Sequence, residues 1–71
     1  MSIEDRYPME ADVTTAMGKR GVVRVGVEPG VIRTLTPPGD GYSMTPTQCR
    51  ELIDMYQRAL RIEHFHSRHE S

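Results

Sequence analysis

Two periods of apolar residues divide the chain. Between positions 21 and 36, Val22, Val23, Val25, Val27, Val31, Ile32, Thr34, Leu35 and Thr36 are mostly β-branched, which suits a pleated surface. Pro29-Gly30 interrupts this run and marks a turn, so residues 21–36 are predicted to form a β-hairpin. If the loop is Pro29-Gly30 alone, Val27 faces Ile32, Val25 faces Thr34 and Val23 faces Thr36. Arg24, Gly26, Glu28, Val31, Arg33 and Leu35 then occupy the opposite face. A slip of one residue would place Arg33 among the valines, so the pattern selects the register. Pro29 fixes φ at about −65°, which excludes the primed turns of tight hairpins. A wider loop, or a bulge near Gly26, is the expected remedy for the poor twist of a Pro-Gly turn.

The second period runs from 45 to 66 and predicts a helix. Thr45 is a good N-cap, Pro46 fits the first helical position, and Gln48 completes a capping box. At about 100° per residue, Cys49, Leu52, Ile53, Met55, Tyr56, Ala59, Leu60 and Ile62 share an arc of about 180°. Residues 37–44 hold two prolines and two glycines and read as a loop. Residues 67–71 read as a frayed tail. In the first eighteen residues, Ser2 with Asp5 suits one helical turn that Pro8 ends. Asp12 to Met17 suits a short edge strand. The expected fold is α+β. Behind a leader at 1–18, residues 19–71 form a single ββα domain, two or three antiparallel strands packed under one C-terminal amphipathic helix.

Length changes this picture. A chain of 71 residues buries only about 60% of the surface its unfolded form exposes. A one-sided surface helix needs an apolar arc of only ~100°. About 20 helical residues span ~30 Å, against ~20 Å for a six-residue strand. The helix therefore offers more apolar surface than its own hairpin covers, at roughly 25 cal/mol per Å² left wet. A homodimer or higher oligomer, or docking on a larger protein, is the expected remedy. Tyr56, Leu60, Ile62 and Phe65 are the predicted contact ridge.

Charge adds a secondary pattern. The net charge is −1. Residues 1–18 carry −3 and residues 19–36 carry +3. Eight of the nine basic residues are arginine, which fits either a GC-rich genome or selection for bidentate contacts. Lys19, Arg20, Arg24 and Arg33 form a basic β-ribbon, and nucleic-acid binding through it is the alternative function. The weak net charge and the lack of an aromatic in the hairpin count against that alternative. The single cysteine excludes an internal disulfide and a four-thiolate zinc site. It fits a reduced compartment, so the cytoplasm is the expected location. Apolar runs of two residues exclude a helical membrane span.

Candidate chemistry is sparse. His64, His66 and His69 lie together near the C-terminus, and a metal- or pH-responsive oligomer is the third reading. Their spacing matches no zinc motif, so no metal and no cofactor are expected. Glu63 falls inside the apolar arc. Either the buried part of the helix stops at Ile62, or Glu63 pairs with an arginine across an interface. Cys49 sits in the first helical turn, where the dipole lowers a thiol pKa, but its arc position makes it a packing residue. Gly39-Asp40-Gly41 lacks the lysine of a phosphate loop. No nucleophile–base pair and no paired carboxylates emerge, so an enzyme is not expected.

The start of the helix, Thr45, Pro46, Gln48, Arg50, Glu51 and Leu52 behind a valine-rich hairpin and a Gly/Pro loop, resembles small accessory proteins of high-GC actinobacteria and their phages. The likeness covers about half the chain, and its motif is mostly capping chemistry. It carries over no functional residue. The expected function is a small non-enzymatic protein-binding module, acting as an oligomeric regulator, inhibitor or assembly component of a larger machine, with no membrane contact.

Overall fold

The structure, a computed structural model, describes residues 3–70, and the side chains of residues 5–68. The elements run α1 (Ile3–Arg6), β1 (Met9–Thr15), β2 (Arg20–Glu28), β3 (Val31–Leu35), β4 (Tyr42–Ser43) and α2 (Pro46–Glu70). The fold is α+β: a four-stranded antiparallel sheet of order β3-β2-β1-β4 packed against one C-terminal helix.

The hairpin has the register that its pattern selects, with Val27 opposite Ile32 and Val25 opposite Thr34. The ladder ends at Leu35, so the predicted Val23–Thr36 pair does not form. Nor is there a bulge at Gly26, which pairs directly with Arg33. Gly30 has φ +77°, the value that the third position of a type II turn requires. The Pro-Gly turn is therefore accepted as it stands, with no wider loop.

The leader departs most from expectation. Its strand is Met9–Thr15 rather than residues 12–17, and it lies inside the sheet rather than at the edge. It pairs with β2 from Met9↔Val25 to Thr14↔Arg20. Ala11 and Val13 supply buried apolar side chains there, alternating with Glu10, Asp12 and Thr14. A half-apolar strand of this kind suits one face on the core and the other on solvent. The strand count is thus four, not two or three. The fourth is Tyr42–Ser43, from within the predicted 37–44 loop, which covers β1 only at Thr14 and Thr15. The predicted helical turn is α1; Ser2, its suggested cap, lies outside the described residues.

Helix α2 begins as its capping box dictates. The Thr45 N–H donates to Gln48 Oε1 at 3.0 Å, and the Gln48 N–H donates to Thr45 Oγ1 at 3.1 Å. Thr45→Ala is expected to lower stability by about 1 kcal/mol, read as a shift of the urea midpoint without a change of slope. The helix runs to Glu70, past the predicted end at 66. Nothing between 64 and 70 breaks a helix, and the Ser67 hydroxyl bonds to the Glu63 carboxylate one turn back.

The core lies between α2 and the inner sheet face. It comprises Ala11, Val13, Val23, Val25, Leu52, Met55 and Ala59. Met55 is the largest fully buried side chain. Only the middle of the helix is covered: at 25 residues it spans about 37 Å, while its buried positions run from Leu52 to Ala59.

Candidate interaction surface

Helical geometry places Leu52, Met55 and Ala59 on one stripe, facing the valines. The apolar residues beside that stripe fall on two flanks. Ile53 and Leu60, seven positions apart, share one flank with half-buried Tyr56. Ile62 and Phe65 share the other, about 140° or more away from Leu60 around the axis. Ile53 is 51% exposed, Leu60 58%, Ile62 39% and Phe65 58%. The predicted ridge of Tyr56, Leu60, Ile62 and Phe65 is therefore two separate patches. Ile53, absent from the predicted ridge, completes the first; its spacing of seven from Leu60 was the available signal.

The flank carrying Phe65 overlooks β1. One shallow groove there is bounded by Arg58, Arg61, Ile62 and Phe65. The next is bounded by Glu10 and Ala11 of β1 together with Arg50, Glu51, Asp54 and Arg58 of α2. Beneath this groove the edge of β1 is open. Among the described residues, β4 pairs only with Thr14 and Thr15, so positions 9–13 have no strand on their outer side. The Thr15 N–H donates to the Lys19 carbonyl of the β1–β2 turn at 2.8 Å. Main-chain groups of alternate residues face opposite sides of an antiparallel ladder. Met9, Ala11 and Val13 thus bond to β2, and Glu10 and Asp12 direct their N–H and C=O groups outward.

The buried part of α2 does end before Glu63, at Ala59 rather than Ile62, and the carboxylate finds partners within its own chain. It accepts a hydrogen bond from the Gly30 N–H at 3.0 Å and another from the Ser67 hydroxyl. The carboxylate therefore clips the far end of α2 to the β2–β3 turn, within one chain. These two bonds, with Ser67 the stronger cause, hold its pKa below the usual value of 4.5. A depressed folded pKa stabilises the fold above the unfolded pKa and is lost as pH falls through the folded value. Glu63→Gln is expected to flatten the decline of the urea midpoint on acidification below about pH 4.5. An unchanged acid limb would show that the clip is not retained in solution.

The basic ribbon is largely neutralised. Arg20 lies 3.0 Å from Asp12, Arg24 2.9 Å from Glu10 and Arg33 2.9 Å from Glu28. The Glu28 hydrogen bond and charge raise the Arg33 pKa further. All three pairs lie on the sheet face opposite α2: on β1 and β2 the core-facing positions are odd-numbered, among them Ala11, Val13, Val23 and Val25, and Arg33 of β3 stands opposite even-numbered Gly26. Lys19 and Arg20 sit at the exposed β1–β2 turn. The acidic leader, far from being a separate arm, supplies two of the three carboxylates.

Of the histidines, His64 is exposed and His66 half-buried. His66 lies beside Met9, Val27 and Ile62, and its ring meets Phe65 edge-on, with centroids 6.1 Å apart. The side chain of His69 lies outside the described residues. Among those described, no group of three or more histidine, cysteine or carboxylate side chains comes together to hold a metal ion. Cys49 is half-buried with a free thiol. No described helix is long and apolar enough to cross a membrane.

These features define a small α+β protein whose notable surface is a helix with two apolar flanks beside an open strand edge. The chain matches no family model, no curated protein and no solved structure, and the likeness to actinobacterial and phage accessory proteins finds no counterpart there.

Proposed function

We propose that the protein is a small non-enzymatic protein-binding module of the cytoplasm, which works as an oligomer and docks on a larger protein as a regulator, inhibitor or assembly component. The observation that carries this reading is the exposure of Ile53, Leu60, Ile62 and Phe65 on both flanks of α2. A sheet of this width covers only the central stripe of the helix. Large apolar side chains grouped on one element in this way mark interaction sites, whereas singly scattered ones do not.

The Ile53–Leu60 flank is the surface assigned to the larger partner. A photo-crosslinking residue at position 60, expressed in the source cell, is expected to give a discrete adduct. Ile53→Arg, one flank position away, is expected to abolish it, since an exposed substitution leaves the core intact. A crosslinking pattern unaffected by Ile53→Arg, or no adduct at all, would count against docking through this flank.

A further inference from the structure

We propose that the open edge of β1 and the neighbouring flank of α2 form one surface that pairs with a second copy of this chain, across a two-fold axis through Ala11. The proposal deepens the reading above. It states where the oligomer forms, and it leaves the Ile53–Leu60 flank to the larger partner.

The strand edge sets the register. Glu10 and Asp12 carry the outward main-chain groups, so a two-fold axis at Ala11 pairs Glu10 of each copy with Asp12 of the other. Each of these pairs exchanges two main-chain hydrogen bonds. The matched stretch closes at both ends for reasons already in the sequence. Pro8 has no N–H to extend it, and β4 occupies the edge from Thr14 onward. Ala11 is small, so the two chains approach at the axis without a clash. Glu10 and Asp12 face each other as like charges, which ordinarily opposes strand pairing. Here Arg24 neutralises Glu10 and Arg20 neutralises Asp12 from within each sheet.

The helices then meet at the right separation. Strands in a sheet lie about 4.8 Å apart. Helix α2 packs chiefly over β1 and β2 and more lightly over β3, so its axis stands about half a spacing or slightly more inward of β1, and the two-fold axis about half a spacing outward. The two copies of α2 come to lie antiparallel at about 10 Å, within reach of ordinary helix packing at 8–10 Å.

Charge identifies the occupant as a second copy. On this flank, beyond Arg50 at its start, the acids Glu51 and Asp54 precede the bases Arg58 and Arg61. Asp54 and Arg58, which already bridge at 3.2 Å within the chain, line the groove beside Ala11 together with Arg50 and Glu51, so a second copy would extend this pair into a network of four charges. A two-fold axis there sets Asp54 against Arg58 of the second copy and Glu51 against its Arg61. By symmetry every acid meets a base, as a self-complementary isologous interface requires. Phe65 and Ile62 reach the aliphatic stem of Arg50 in the second copy.

The test is a charge exchange on the full chain, followed by sedimentation equilibrium. The wild type is expected to sediment at twice its 8.1 kDa chain mass at tens of micromolar. Asp54→Arg and Arg58→Asp each place like charges across the axis, and each is expected to weaken self-association by about tenfold or more. Mixed together, these two variants restore opposite charges at both positions, so a heterodimer within about threefold of wild-type affinity is expected. Circular dichroism of each variant checks that it is folded. A monomeric wild type, a single variant that dimerises as the wild type does, or folded variants that fail to associate when mixed would each overturn the proposal. A normal heterodimer with no crosslink at position 60 would instead remove docking on a larger partner and leave this interface standing.

Discussion

Met55→Ala is expected to lower stability by about 2–5 kcal/mol. Met55 is fully buried at the centre of the helix–sheet contact, against Val13, Val23 and Val25. Truncation removes its thioether arm and leaves a space that neighbouring valines, β-branched and locked in a ladder, cannot move to fill. A chain of 71 residues has about 4–10 kcal/mol of total stability at ordinary values per residue. The loss is therefore a large fraction of the whole, and the melting temperature is expected to fall by about 10–30 °C. Met55→Leu, which nearly conserves volume, is expected to cost less than about 1.5 kcal/mol. Thermal melts of the two variants at one fixed concentration check both, since an oligomer's melting point depends on concentration. A Met55→Ala variant that melts with the wild type would mean that the helix is not seated on the sheet through this residue.

Gly26→Ala is the second change with a large expected effect. A Cβ at position 26 would lie 2.0 Å from the Arg6 carbonyl oxygen and 3.1 Å from its carbon. The obstacle is backbone, not a pliable side-chain end, so α1 must leave its place against the outer face of β2. The expected cost is about 1–3 kcal/mol. The mechanism is checked by deleting residues 1–6. In that shortened chain the clash is gone, and Gly26→Ala is expected to be neutral or mildly stabilising, because alanine loses less backbone freedom on folding. Equal destabilisation in both backgrounds would place the cause in the sheet itself rather than in the docking of α1.

The parts of the fold legible in the sequence were those written in local patterns. Valines at alternate positions around Pro29-Gly30 specified the β2–β3 register, because a slip inverts every side chain. Thr45, Pro46 and Gln48 specified the first turn of α2, since the capping bonds link residues three apart. The leader was legible only in part. Met9–Thr15 is a weak strand by propensity, with Glu10, Ala11 and Asp12 among its residues. It is held in the sheet by ladders on β2 and by Arg20 and Arg24, partners from the next strand. Tyr42–Ser43 is likewise a strand only because β1 lies beside it.

The candidate surface divides the same way. An apolar arc wider than one sheet can cover was visible in the helical period, and Leu60, Ile62 and Phe65 are indeed exposed. Periodicity gives angles around an axis but not the line along which the sheet meets the helix. Only that line splits Tyr56 and Leu60 from Ile62 and Phe65. The role of Glu63 was hidden for a related reason. Its partner, the Gly30 amide, is a main-chain group at a turn 33 residues away, which no side-chain pattern announces.

By itself, then, the amino-acid order determined the hairpin register, the start of α2 and an excess of apolar helix, because each depends on neighbours a few positions apart. Tertiary structure alone decided that the leader becomes an inner strand, that the ribbon's arginines are answered by carboxylates, and that β1 keeps an open edge beside a charged flank. Those outcomes depend on which distant segments meet, and hydrogen bonds and burial between them outweigh the modest preferences of individual residues.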